Sequence, residues 1–422
     1  MSILEITAIL FCLAALFGFI NYRTARLPTT IGIMAVALIF SLLLIVSGGI
    51  FPETRAWAVK QIGSIDFSEA LLHGMLGFLL FAGALHVDLD ELFSQYRIIT
   101  SLATFGVVAS TIIIGTLSWL LLRWTIFPMS FMHCLLFGAL LSPTDPIAVL
   151  GILKTAKVPK SLEVKISGES LLNDGVGVVL FLLLLETAGT GDNFSLSHAG
   201  HLFLQEAVGG ALFGFGVGYL AYRMLRLIDD YQVEVVITLA LVTGGFVLAE
   251  KLHLSAPIAM VVAGLLIGNK GRQFAMSAKT RKNLDTFWEL VDSILNAVLF
   301  TLLGLEIMAL HFELASMFIG GAMIVIALLA RLISVAIPVT LLKRIRTFSP
   351  KVIRILTWGG LRGGISVALA LSLPAGKERD LILIMTYIVV VFSIIVQGLS
   401  MGKVIAKIAG PPGKEDQAKG IA

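Results

Sequence analysis

Charge is scarce in this 422-residue chain: Asp, Glu, Lys and Arg make up 14% of it, against 57% hydrophobic residues. A soluble domain carries about 25% charged residues, so a globular protein in water is excluded. Cysteine is nearly absent. Cys12 and Cys134 both fall inside apolar runs, which excludes a disulfide scaffold or a cysteine-ligated zinc centre and leaves them as small buried hydrophobes. The seven histidines show no metal-ligand spacing. The ten-residue alternation of an outer-membrane barrel is missing as well. The first apolar run has neither a basic leader nor a small-residue cleavage site, so it reads as a span and not as a removed signal peptide. No polar stretch is long enough for a separate soluble domain.

What fills the chain instead is a succession of apolar runs of about 17–25 residues, the length that crosses a bilayer as a helix. They predict thirteen spans, at 3–20, 28–47, 68–86, 98–122, 132–153, 162–186, 202–225, 234–250, 255–269, 286–308, 313–342, 352–374 and 380–402. The placement of Lys and Arg tests that count. Alternate connections, beginning after the first span, hold Arg23 and Arg26; Arg97; Lys154, Lys157, Lys160 and Lys165; Arg223 and Arg226; Lys270, Arg272, Lys279, Arg281 and Lys282; Lys343, Arg344, Arg346, Lys351 and Arg354; and the four lysines after the last span, Lys403, Lys407, Lys414 and Lys419. The remaining connections hold only Arg55, Lys60, Arg123, Lys251, Lys377 and Arg379. Basic residues concentrate on the cytoplasmic side, so the N-terminus is expected outside and the C-terminus inside. The formal net charge of +4 follows from this asymmetry and gives no reason to invoke nucleic acid. A single transmembrane domain is expected over 1–409, with repeats at about 1–186 and 234–402 and a short cytoplasmic tail at 410–422.

Three stretches interrupt the apolar runs. Residues 167–178 read Ser-Gly-Glu-Ser-Leu-Leu-Asn-Asp-Gly-Val-Gly-Val and open an apolar span. Glu169 and Asn173 stack one helical turn apart, as do Ser170 and Asp174, so all four share a face. A carboxylate in a membrane interior is expensive and marks a functional site by default. A group able to hold either a proton or a cation is the minimum needed to exchange one for the other. Span 132–153 contains Leu141-Ser-Pro-Thr-Asp-Pro-Ile147. Each proline removes a donor and clashes one turn back, so the helix is expected to unwind around Thr144 and Asp145. Span 352–374 contains Trp358-Gly-Gly-Leu-Arg-Gly-Gly364, a glycine-rich stretch around Arg362 that is expected to break too. The fifth and twelfth spans cross in opposite directions. Matching interruptions in inverted halves are the best sequence pointer to a transporter's substrate site. Asp145 can neutralise the positive ends of the half-helices, and Arg362 the negative ends.

Ser142-Pro-Thr-Asp-Pro-Ile-Ala-Val149, Gly168-Glu-Ser-Leu-Leu-Asn-Asp-Gly175 and Trp358-Gly-Gly-Leu-Arg-Gly-Gly-Ile365 resemble the signatures of cation/proton antiporter family 1. This is the family of bacterial NhaP-type sodium/proton antiporters and eukaryotic sodium/proton exchangers. The resemblance covers essentially the whole chain, including Phe392 to Gln397-Gly398 near its end. It implies an all-α polytopic membrane protein of thirteen helices, with NhaA-like inverted repeats and two broken crossing helices. It further implies a homodimeric secondary antiporter in the bacterial inner membrane that needs no cofactor. By motif match, Asp174 would bind the ion and the proton, with Asn173 its partner. Ser170 and Thr144, through its backbone or hydroxyl, would complete the sodium shell, and Asp145 would support the crossing. Glu169 would pair with Arg331. An Asn-Asp pair goes in this family with electroneutral one-for-one exchange. The chain departs from the family in its third span, where many members carry glutamate and this one reads Leu80-Phe81-Ala82-Gly83, with His86-Val-Asp88 following.

The residues support the same chemistry independently. Sodium wants hard oxygen ligands, by extension from the rules for divalent cations, and Asp174, Ser170 and Thr144 offer them. Competition requires Asp174 to titrate near the working pH, and desolvation works against its charged form. The pairing of Arg331 with Glu169 that the resemblance implies would cancel a positive charge that opposes this. Alternating access follows because Asp174 is neutralised by either substrate and is costly to carry bare. Asp285, Glu289, Asp292 and Asn296 form a polar stripe at helical spacing, either a wetted helix start or an acidic entrance at Glu289 and Asp292. Glu306 reads as interfacial. At His86 a structural hydrogen bond competes with pH sensing. The basic connection 343–354 reads as a topology signal, with anionic lipid binding second. A potassium/proton antiporter is the alternative within the fold. An intramembrane aspartyl protease is remote, because Asp174-Gly-Val-Gly reverses the order that family uses. An ion channel is remote too, because a channel needs ligand rings from several subunits or repeats.

Overall fold

The computed structural model describes residues 3–47, 66–145, 149, 160–190, 200, 204–310, 313–343 and 351–409. Among the described residues the regular structure is helical, with one isolated bridge between Asp145 and Leu361 and no strand. Ten of these helices are long and apolar enough to cross a membrane. The chain is therefore a multi-pass membrane protein. A helix satisfies its own backbone groups, which is what a bilayer demands of any spanning segment.

In chain order the main helices are α1 (Ile3–Arg23), α2 (Thr29–Ser47), α3 (Phe67–Leu85), α4 (Tyr96–Leu122), α5 (Phe131–Leu141), α6 (Lys160–Thr190), α7 (Leu204–Leu225) and α8 (Tyr231–Lys251). They continue with α9 (Ala256–Leu266), α10 (Ala278–Leu305), α11 (Leu314–Leu342), α12 (Val352–Trp358), α13 (Gly364–Leu371) and α14 (Lys377–Ile405). Their starts carry side-chain caps where the sequence offers them: Ser130 on α5, Asp230 on α8, Ser255 on α9 and Ser277 on α10. Single π turns interrupt α3 at Ala70–Met75, α4 at Leu102–Gly106 and α14 at Ser393–Gln397. Such turns mark places where a helix gives up regularity for a contact.

One start differs from the expected spans, and the two expected interruptions lie where the sequence put them. The span expected at 286–308 begins at Ala278, because Thr280, Leu284 and Trp288 turn a buried stripe inward through a start that is otherwise polar. The span expected at 352–374 is two helices, α12 and α13, with 359–363 irregular between them. In the span expected at 132–153 the helix runs to Leu141 and 142–145 are irregular, whereas 146–148, with Pro146, and 150–153 lie outside the described residues. So do Arg55, Lys60, Lys154, Lys157, Arg344, Arg346 and the tail 410–422. Cys134 is buried, but Cys12 is exposed, because α1 packs on one side only and its apolar outer face is left uncovered.

The buried side chains fall into two main groups. The larger joins α4, α5, α6, α11, α13 and α14 with parts of α1, α2 and α10. The second joins the later part of α3 with α7, α8, α9 and the first half of α10. Within the second, Gly210, Gly214 and Gly218 of α7 lie against Ser255, Ala259 and Ala263 of α9. A Cβ at Gly214 would come within 2.7 Å of the Ala259 Cα, so this small-residue seam lets two backbones touch.

Candidate ion-binding site

α6 buries Glu169, Ser170, Asn173 and Asp174 on one face, and Thr144, beyond the end of α5, is buried against it. The Thr144 N–H donates to Asn173 Oδ1 at 3.2 Å, and Asn173 Nδ2 donates to Thr144 Oγ1 at 2.9 Å. The Ser170 hydroxyl donates to the Thr144 carbonyl. Every polar group of Thr144 therefore has a partner on α6. This answers the problem created by the proline-rich stretch, which stops α5 and frees backbone groups in an apolar interior. Each of these oxygens retains a lone pair, so Ser170 Oγ and the Thr144 oxygens can still face a cation.

The second irregular segment meets the first. The Asp145 N–H donates to Leu361 O at 2.8 Å, forming the one bridge between 142–145 and 359–363. Arg362 Nη1 donates to the Ser142 and Pro143 carbonyls at 2.8 and 2.9 Å. These carbonyls stand at the C-terminal end of α5, where the helix dipole is negative. The Asp145 carboxylate packs against Gly363, the residue before α13, where the dipole is positive. A Cβ at Gly363 would lie 2.6 Å from the Asp145 Cβ, so the approach requires glycine.

Arg331, in the middle of α11, makes a two-pronged ion pair with Glu169, Nη2 to Oε2 at 3.0 Å. Its Nε and Nη2 also donate to Leu356 O, at 3.3 and 3.2 Å. One arginine thus holds α6 and the end of α12 together. Asp174 is 7% exposed and makes no ion pair among the described residues. The charged side chain that acts on it through space is Asp145, another acid.

Two residues brace the site without having been given a role in it by the sequence: Ser393, and Gln397, which entered only as part of the resemblance. The Arg362 N–H donates to Ser393 Oγ at 2.9 Å, and Ser393 Oγ donates to Gln397 Oε1 at 2.8 Å. Gln397 Nε2 donates to Trp358 O at 3.0 Å. The π turn of α14 therefore braces both ends of the segment between α12 and α13. Two polar residues one turn apart in a highly apolar span were the available signal. Other expected residues stand apart from these bonds. Glu289 is exposed and Asp292 half-buried on α10. Asn296, on the same stripe, is buried, and its Oδ1 has no hydrogen-bond partner among the described residues. His86 is exposed, with Nδ1 2.9 Å from Ala82 O, and Ala82 is buried. Glu306 is largely buried at the end of α10, in the field of Arg379.

Known proteins resemble this chain along its length. The family model described as the transmembrane sodium/hydrogen exchanger matches residues 9–407. The chain is 52% identical to the Na(+)/H(+) antiporter NhaP of Pseudomonas aeruginosa, over 97% of this chain and 98% of that protein. It is 39% identical to the Na(+)/H(+) antiporter NhaH of Halobacillus dabanensis, over 81% of this chain and 84% of that protein. Its fold is similar to that of the sodium proton antiporter MjNhaP1 from Methanocaldococcus jannaschii, with a TM-score of 0.76 and 18% identity across 97% of this chain and 100% of that one. At that identity the likeness is one of fold.

Proposed function

The chain belongs to the sodium/hydrogen exchanger family, as a bacterial NhaP-type cation/proton antiporter and not an enzyme, and we propose that it exchanges sodium for protons, one for one, at Asp174. The observation that carries this reading is the contrast between two carboxylates on one helix face. Glu169 is neutralised by Arg331, a fixed partner. Asp174 is buried with no ion-pair partner among the described residues, so only a mobile cation can neutralise it. Sodium would take oxygens from Asp174, Ser170 and Thr144. Asn173 holds Thr144 with an amide where a second carboxylate would add a second titrating charge. A proton on Asp174 removes the attraction for sodium, which makes the two substrates mutually exclusive.

The finer features of the scheme rest on sequence and physical argument. They are thirteen spans in inverted repeats, with α5 and the α12–α13 pair as the broken crossing helices, an external N-terminus and a cytoplasmic C-terminus. A homodimer in the bacterial inner membrane, lithium as a further substrate, and cation entry past Glu289 and Asp292 complete it. Potassium/proton exchange is the second reading, favoured by Ala82, which supplies no third-span carboxylate to a small, strongly hydrated ion. The test is pH-gradient dequenching in proteoliposomes with sodium, lithium and potassium compared. Sodium and lithium are expected to drive it in the native chain, and no cation is expected to drive it in a folded Asp174→Asn variant. Sodium-dependent proton movement that persists in that variant would move the site to Asp145. A potassium response equal to that of sodium would overturn the cation assignment.

A further inference from the structure

Glu234 is a carboxylate that the transport scheme does not use and the interior does not pair. It lies in the first turns of α8, is 0% exposed, and neither of its carboxylate oxygens has a hydrogen-bond partner among the described residues. Asp229 and Asp230 act on it through space, and no cation is among the charges that do. On α10, exposed Lys279 lies over the Tyr231 ring at 5.8 Å, and exposed Arg281 donates through Nη2 to Arg272 O at 2.5 Å. Thr280, buried on α10, stands between the acids. Its hydroxyl is 3.4 Å from Asp229 Oδ1, and it also acts on Glu234.

A carboxylate withdrawn from water without a partner is costly. The positive start of α8 relieves only part of that cost. Buried Glu234 and Thr280, with Asp229 exposed beside Thr280, bring carboxylate and hydroxyl oxygens to the base of α8 and α10, and such oxygens are the donor set of a hard cation. Two carboxylates and one hydroxyl are fewer ligands than the roughly six to eight oxygens a calcium ion takes, which favours a monovalent ion. We propose that Glu234, with Asp229 and Thr280, binds a monovalent cation of the transported class at the base of α8 and α10, separate from Asp174. The charge bias assigns this end to the cytoplasm. Thr280, Leu284 and Trp288 form the buried stripe of α10, whereas Asp285, Glu289 and Asp292 follow a different stripe, so the bound ion is not one in transit along the acidic entrance. Its effect is to tie α8 to α10 when the cation is abundant.

The protein carries its own reporter. Trp288 Nε1 donates to Thr238 Oγ1 at 3.1 Å, and Thr238 is one helical turn beyond Glu234 on α8. The experiment uses the full-length chain carrying Asp174→Asn, which removes the transport carboxylate. Sodium chloride is titrated against choline chloride at constant ionic strength, and tryptophan emission is followed. A saturable sodium response is expected, and Glu234→Gln is expected to abolish it. Where that variant fails to fold, Thr280→Val serves, because it keeps the charge and removes a ligand; the midpoint should rise severalfold. No sodium response, or one unchanged by Glu234→Gln or by Thr280→Val, would overturn the proposal. A response to pH with none to sodium would overturn it too, leaving Glu234 a buried protonated acid. Failure here leaves the Asp174 reading untouched, since transport by Asp174→Asn is read separately.

Discussion

The α7–α9 seam and the crossing between 142–145 and 359–363 both bring backbone against backbone, by opposite means. At the seam two regular helices approach because Gly210, Gly214 and Gly218 carry no side chains. No charge takes part. At the crossing the helices stop, and the freed groups are met one by one: Thr144 by Asn173 and Ser170, Ser142 and Pro143 by Arg362, Leu356 by Arg331, Trp358 by Gln397. A seam built on shape only needs to fit. A crossing built on charges and hydrogen bonds can respond to a proton or a cation, because its partners change strength with charge. Substitutions should therefore divide into those that lower stability alone and those that alter cation dependence.

The largest effect is expected at the ion pair of the crossing. Glu169→Ala leaves Arg331 charged and unpaired in the interior, and breaking a buried pair costs about 3–5 kcal/mol. Thermal stability in detergent should fall sharply. Adding Arg331→Ala should restore part of the loss, since no bare charge remains. If the double variant is as unstable as the sum of the two, the pair does not act as a unit and the crossing is no more charge-coupled than the seam.

The seam itself comes next. Gly214→Val introduces atoms against the backbone of Ala259, and overpacking of this kind costs about 1–3 kcal/mol. The melting temperature should drop while the sodium concentration for half-maximal exchange stays the same. A tenfold change in that concentration would show the seam to be part of the ion pathway and erase the distinction.

Gln397→Leu should do the reverse. It removes the donor to Trp358 O and the acceptor for Ser393, hydrogen bonds worth about 1 kcal/mol each. Stability should change little, while half-saturation for sodium rises severalfold, because the segment that carries Leu361 and Arg362 loses its brace. Gln397→Glu keeps the acceptor and should recover part of the affinity. Equal falls in melting temperature for Gln397→Leu and Gly214→Val, with sodium dependence intact in both, would make Gln397 a packing residue only.

The crossing was legible in part for a simple reason: charges and helix breakers stand out in an apolar background. Glu169, Asn173 and Asp174 are a helical face by spacing alone, and Pro143 and the glycines after Trp358 mark where regular structure must stop. The partner of Glu169 came from the family resemblance, because nothing local says which cation reaches it. The Asp145–Leu361 bridge and the Ser393–Gln397 brace were not legible, since register between distant segments has no local signature. Glu234 was invisible for the opposite reason. An acid in the first turns of a helix looks like an ordinary dipole partner, and only the packing of α10 over it shows that water is excluded. Likewise the buried stripe of Thr280, Leu284 and Trp288 hides in a helix start rich in Lys and Arg.

The smallest expected effect is no effect at all. If Asp174 is the one carboxylate of its face free to exchange partners, each cycle carries one proton one way and one monovalent cation the other, and no net charge crosses. A potassium gradient with valinomycin, imposed on or withdrawn from proteoliposomes, should leave the sodium/proton exchange rate unchanged. Each elementary charge moved through a potential of about 100 mV corresponds to about 2.3 kcal/mol, so an electrogenic cycle would respond strongly. Asn173→Asp probes the cause without a firm direction, because two adjacent carboxylates can share one proton instead of binding two. A native rate that rises severalfold with the potential would end the one-for-one reading. The added charge would then be sought at Asp145, which already acts on Asp174 through space, and at His86.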